Sequence, residues 1–205
     1  MRNSTKNRIL KRVRGKGRGT VFLTKDVLDL GSRGSVDQAL SRLARDGIVR
    51  RLAQGVYDYP KIHDRLGPLT PSADSVADAL ARKTGSNRYV SGAQAANALG
   101  LSTQVPAKTV YLTDGSSRKV KMKVGNQVIH FRHASPNKLA KSDAPGWVVL
   151  LALRYLGTDG VMNDVVDRLQ GSLSPQDKRG LLDLSNLAPI WARPAIDRIA
   201  TDGAT

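Results

Sequence analysis

Residues 30–60, LGSRGSVDQALSRLARDGIVRRLAQGVYDYP, leave this chain few ways to fold. Val36, Ala39, Leu40, Leu43 and Ala44 recur at helical spacing, so one face of a helix is apolar. Ser35 with Gln38 three residues on has the form of a capping box, and Asp37 in the first turn suits the helix dipole. Gly47 ends the helix. IVRRL and VYDY follow as two strands joined through Ala53, Gln54 and Gly55, a hairpin with a glycine in its loop. The outward positions hold Ser35, Gln38, Ser41, Arg42 and Arg45 in place of the Lys–Glu pairs that support a solvated helix face.

Upstream, Ile9, Leu10 and Val13 form an apolar stripe that Ser4 or Thr5 can cap, with Lys6, Arg8, Lys11, Arg12 and Arg14 around it. GKGRGT breaks that helix. It lacks the G-x-x-x-x-G-K-[ST] spacing and a preceding strand, so it reads as a basic turn rather than a phosphate loop. VFL is a short strand, Thr24 caps a small helix carrying Val27, Leu28 and Leu30, and Gly31 ends it. The order helix, strand, helix, turn, helix, hairpin is that of a winged helix-turn-helix, whose second paired helix enters the major groove of DNA. The candidate DNA-binding residues are then Arg33, Ser35, Gln38, Ser41, Arg42 and Arg45 on the helix. The wing adds Arg50, Arg51 and Gln54, and the first helix adds Arg8 and Arg12. The plain alternative is that Ser35 only caps, Gln38 reaches back to the cap, and Arg42 and Arg45 are a solvated face.

Charge supports a polyanionic partner. Lys and Arg outnumber Asp 33 to 17, giving a net charge of +16, and the acids include no Glu. Such a surface attracts nucleic acid first and anionic membrane second. Residues 1–60 hold 14 cations against 5 acids, and the rest hold 19 against 12. With no cysteine, disulfides, thiolate nucleophiles and cysteine-type zinc sites are excluded. No stretch is apolar enough to span a bilayer, and the first twenty residues have no secretory apolar core. A cytoplasmic protein with no membrane partner is expected.

KIHDRLGPLTPSAD reads as a linker, dividing the chain into a DNA-binding domain, 1–66, and a second domain, 67–205. The second begins with a helix from Ser72 or Asp74 that turns Val76, Ala77, Leu80 and Ala81 inward. SGAQAANALG is a further helix, and strands are expected at 109–113, 118–124 and 127–132 with DGSS and GN as turns. Helices follow at 147–156, 161–169 and 175–184, then a closing segment with Trp191 buried. The expected fold class is α+β: a winged helix-turn-helix followed by a mixed α/β domain with a small antiparallel sheet. Lys119, Lys121 and Lys123 alternate with Val120, Met122 and Val124. That row is either a phosphate-contacting stripe or a solvated or lysine-protected edge.

Signs of catalysis are weak. His130 and His133 fall on opposite faces of a strand, G-x-S-x-G is missing, and the Asp residues are scattered. A binding protein without metal or cofactor is expected, rather than an enzyme.

FLTKDVLDLGSRGSVDQALSRLARDGIVRRLAQGVYDYPK resembles the N-terminal winged helix of AbiEi-type antitoxins, from the bacterial AbiE (type IV) toxin–antitoxin or abortive-infection systems. YVSGAQAANALGLSTQVPAKTVYLTDG, residues 89–115, is similar to the start of that family's antitoxin region. The resemblance implies an autorepressor that binds inverted-repeat operator DNA of its own operon and counteracts a co-encoded nucleotidyltransferase-like toxin. The alternatives are a stand-alone winged-helix repressor, a basic RNA-binding module, or an enzyme acting on nucleic acid. Against RNA stands the scarcity of aromatics, 4 %, on which single-strand readers stack bases.

Overall fold

The computed structural model describes residues 4–102 and 108–201, so part of the second family-like stretch, residues 103–107, lies outside the described residues. The fold is mixed α+β with antiparallel strands, in two units: Met1–Arg88 with Gly115–Arg132, and Tyr89–Asp114 with His133–Thr205. The boundary expected at residue 66 therefore falls inside the first unit. The physical reason is local: the segment expected as a linker folds into a two-stranded hairpin, β4 (Ile62–His63) with β5 (Gly67–Pro68), and is tied to the preceding strands by Arg50.

The first unit starts with α1 (Thr5–Lys16), capped by the Ser4 hydroxyl, which accepts from the Asn7 amide at 3.3 Å. β1 (Val21–Leu23) leads into a 3₁₀ turn, Thr24–Leu30. Thr24 does not cap it; the Asp26 carboxylate does, accepting from the Leu23 amide at 3.0 Å. Gly31 is extended, not left-handed. Its role is space: a Cβ there would meet the Thr5 Oγ1 at 2.8 Å.

The next helix, α2 (Arg33–Arg45), is capped by Ser32, whose Oγ accepts from the Ser35 amide at 3.3 Å. The capping box expected at Ser35 and Gln38 is thus corrected: Ser35 lies one turn inside the cap, and the Gln38 side chain is left exposed. The helix closes on Gly47 at φ 69°, with the Ile48 amide donating to the Leu43 carbonyl at 3.0 Å. β2 (Arg50–Ala53) and β3 (Val56–Asp58) form the hairpin, and β1 joins on the far side of β3. Ala53 belongs to the strand, so the loop is the two residues Gln54 and Gly55. Ile9, Val13, Phe22, Val27, Val36, Leu40, Leu43 and Tyr57 fill the core.

The same unit also contains α3 (Ala73–Lys83), capped by Ser72 and packed on β1. β8 (Arg118–Lys121) and all but the last residue of β9 (Val128–His133) complete it, paired antiparallel. Their turn is Gly125–Asn126, with φ of 76° and 54°; positive φ at both central residues marks the hairpin turn that GN promises.

The second unit holds α4 (Gly92–Ala98), β7 (Thr109–Thr113) and α5 (Pro136–Leu139). α6 (Trp147–Gly160), α7 (Asn163–Ser172), α8 (Pro175–Asp183) and α9 (Arg193–Ala200) follow; β6 (Arg88–Val90) straddles the boundary. A reciprocal Ser–Gln capping box forms here: Ser91 accepts from the Gln94 amide, and Gln94 Oε1 accepts from the Ser91 amide at 3.0 Å. α4 packs closely on α6 at Gly92, where a Cβ would meet Tyr155 Cβ at 2.7 Å and the Leu151 carbonyl at 2.8 Å. Leu150, Leu153, Leu169, Leu181, Ile196 and Ile199 are buried in one cluster, with Trp191 only half-buried at its margin. No helix among the described residues is long and apolar enough to cross a membrane.

Candidate nucleic-acid interface

Burial divides α2 into two sides. Val36, Ala39, Leu40 and Leu43 are inside, while Arg33, Gly34, Ser35, Asp37, Gln38, Ser41, Arg42 and Arg45 are exposed. At 3.6 residues per turn, Gln38, Ser41 and Arg45 stand opposite the buried stripe, and Arg42 flanks them. Among the described residues, no hydrogen bond or ion pair engages the side chains of Gln38, Ser41, Arg42, Arg45 or Arg51. Arg33 is exposed but paired with Asp37 one turn on, at 2.9 Å.

The helix and hairpin enclose a cleft of ≈ 530 Å³. Arg33, Asp37, Ser41 and Ala44 line one wall, and Arg51, Gln54, Gly55 and Tyr57 the other. Lys83, at the end of α3, donates to the Gln54 carbonyl at 2.5 Å and so fixes the hairpin turn. Lys25 donates to the Arg82 carbonyl beside it.

Two predicted contacts are corrected. Arg50 does not reach outward: its Nε and Nη2 donate to the Asp58 carboxylate at 3.1 and 2.5 Å, and Nη2 also donates to the Leu69 carbonyl at 2.6 Å. Asp58 is 1 % exposed, and an acid buried that deeply holds its counter-cation in the fold. Arg12 is likewise committed, forking onto both Asp29 oxygens at 2.5 and 2.7 Å and onto the Asp26 carbonyl. That hydrogen bonding holds the Asp29 carboxyl below the ordinary carboxylate range and pushes Arg12 up. Arg8 remains exposed, with a long 3.5 Å contact to Thr5. Both losses share a cause invisible in a residue list: each arginine has an Asp placed against it by the fold.

Lys119, Lys121 and Lys123 are exposed, alternating with half-buried Val120 and Val124 and buried Met122. Regular pairing stops at Lys121, short of the expected 124. The Lys123 amide then donates to the Leu52 carbonyl of β2 at 2.9 Å. Sequence reasoning missed this return of a distant strand to the hairpin; no local signal announces it.

The units also separate charge in a way the linear split conceals. The first carries 24 Lys and Arg against 8 Asp, the second nine against nine, so the whole excess of +16 belongs to the first.

No curated protein matches the chain. Among solved structures, a crystal structure of the RV2827C protein from Mycobacterium tuberculosis is similar, with a TM-score of 0.48 and 16 % identity. That match covers 94 % of this chain and 75 % of that one. The family model describes a family of unknown function, DUF6088, and matches residues 8–181, so the chain belongs to that family.

Proposed function

We infer that the first unit is a winged helix-turn-helix that binds duplex DNA, with α2 in the major groove and the β2–β3 hairpin as the wing. One observation carries this: the outward face of α2 bears Gln38, Ser41, Arg42 and Arg45, exposed and engaged in no hydrogen bond or ion pair among the described residues, in a unit holding all of the excess positive charge. Free Arg and Gln side chains on a helix are the groups that pair bidentately with guanine and adenine edges. Arg51 and Arg8 meet flanking phosphates, which position the protein without reading sequence. The protein acts by binding, not by turnover.

From the sequence resemblance, the DNA is an inverted-repeat operator of the protein's own operon. The charge-neutral second unit then serves the antitoxin role against a nucleotidyltransferase-like toxin. The test is a gel shift of the full chain on its own upstream region, competed by a scrambled duplex and by duplex RNA. Preference for the upstream duplex supports the reading; equal competition by scrambled DNA, or preference for RNA, overturns it. Growth rescue from the product of an adjacent gene tests the antitoxin half separately.

A further inference from the structure

We propose that β8 is a second, sequence-independent grip on the DNA backbone, reaching phosphates beyond the wing through Lys119, Lys121 and Lys123. This rests on the reading of the first unit as a duplex-binding module.

Three observations lead there. The strand pair belongs to the first unit although more than fifty residues separate it from β3 in the chain. It is held against the outer side of the hairpin by the bond from the Lys123 amide to the Leu52 carbonyl, next in the chain to free Arg51. And it is rigidly based. Arg118 lies over the Phe131 ring, its guanidinium 4.2 Å from the centroid, and donates to Thr84 Oγ1 at 3.0 Å and the Leu80 carbonyl at 3.3 Å. Arg118 is thereby consumed in fixing the strand, while the three lysines are left exposed.

Residues 115–132 carry five cations and no acid. Lys119 and Lys121 stand about 6.6 Å apart along the strand, so the row presents closely spaced ammonium groups to a polyanion of high linear charge density. Protection of a bare edge would ask for less. β8 has only four residues, and two residues past its end the Lys123 amide is already bonded to the Leu52 carbonyl.

The experiment is a salt titration of full-length protein on a random-sequence duplex of about three helical turns, comparing wild type with the Lys119→Gln/Lys121→Gln/Lys123→Gln variant. Three lost phosphate contacts lower the salt exponent by about 2.7, so wild-type affinity falls about 40-fold further than the variant's between 50 and 200 mM salt. The single Lys→Gln variants each lower it by about 0.9. An unchanged exponent in all four variants overturns the proposal, and aggregation of the triple variant with unchanged exponents in the singles assigns the lysines to edge protection. In either case the α2 reading stands if Arg45→Ala still lowers preference for the upstream duplex over a scrambled one. A wild type that binds no duplex overturns both.

Discussion

Arg50 and Arg51 are neighbours on β2 with opposite fates: Arg50 is bound to buried Asp58 at 2.5 Å, and Arg51 is exposed with no partner among the described residues. Strand alternation sends one inward and the other out. Removing one member of a buried pair strands the other charge, so Asp58→Ala or Arg50→Met is expected to cost about 3–5 kcal/mol in urea unfolding. Arg51→Ala should leave stability within about 0.5 kcal/mol and weaken binding to every duplex alike. Equal destabilisation by the two arginine variants would contradict this assignment.

The α2 side chains should separate reading from gripping. Arg45→Ala and Gln38→Ala are each expected to cost about 1–3 kcal/mol of discrimination between the upstream duplex and a scrambled one. Neither side chain makes a hydrogen bond or ion pair among the described residues, and Arg45 acts on Asp46 only as a nearby exposed charge, so unfolding free energy should change by no more than about 0.5 kcal/mol. Competition gel shifts measure the first quantity and calorimetry the second. A uniform loss on both duplexes would make the residue a backbone contact.

Much of this was legible in the sequence, for reasons that differ from residue to residue. The buried stripe of α2, the end at Gly47 and the GN turn are local: periodicity and positive φ are written in adjacent residues. The true cap was missed because Ser32 and Ser35 both precede the apolar run, and the Ser–Gln spacing favoured the wrong one. Arg12 and Arg50 could not be separated from free arginines, since Asp29 lies 17 residues from Arg12 and Asp58 eight from Arg50. The first unit's reach to residue 132 depends on a tertiary strand return that leaves no periodic trace.

Gly31 offers a test of close approach without backbone strain. Its extended backbone suits any residue, yet a Cβ would lie 2.8 Å from Thr5 Oγ1 and 3.0 Å from Thr5 Cγ2. Gly31→Ala should therefore cost about 1–3 kcal/mol as overpacking. Thr5→Ala removes both clashing atoms, so the double variant should recover most of the loss in a double-mutant cycle of unfolding free energies. Additive losses would place the strain elsewhere.

Two ion pairs staple α1 to its neighbours and should give the protein an acid limb of stability. Lys6 donates to Asp46 just past α2 at 2.6 Å, and Arg12 forks onto Asp29 in the 3₁₀ turn. The hydrogen bond from Lys6 holds the Asp46 carboxyl below the ordinary range, aided by the Lys6, Arg45 and Arg42 charges; Arg12 does the same for Asp29. A carboxyl whose folded pKa is depressed binds its proton more readily in the unfolded chain. Its stabilisation is thus complete above the unfolded value of about 3.9 and disappears as pH falls through the folded value. The Asp29→Asn/Asp46→Asn variant keeps the side-chain shapes and loses the charges. Its thermal midpoint should lie below that of the wild type by a constant amount from pH 7 to about pH 5 and converge with it on further acidification. Because both pairs face solvent, the gap should narrow at high salt. A gap that persists at low pH would mean that shape, not charge, holds α1 in place.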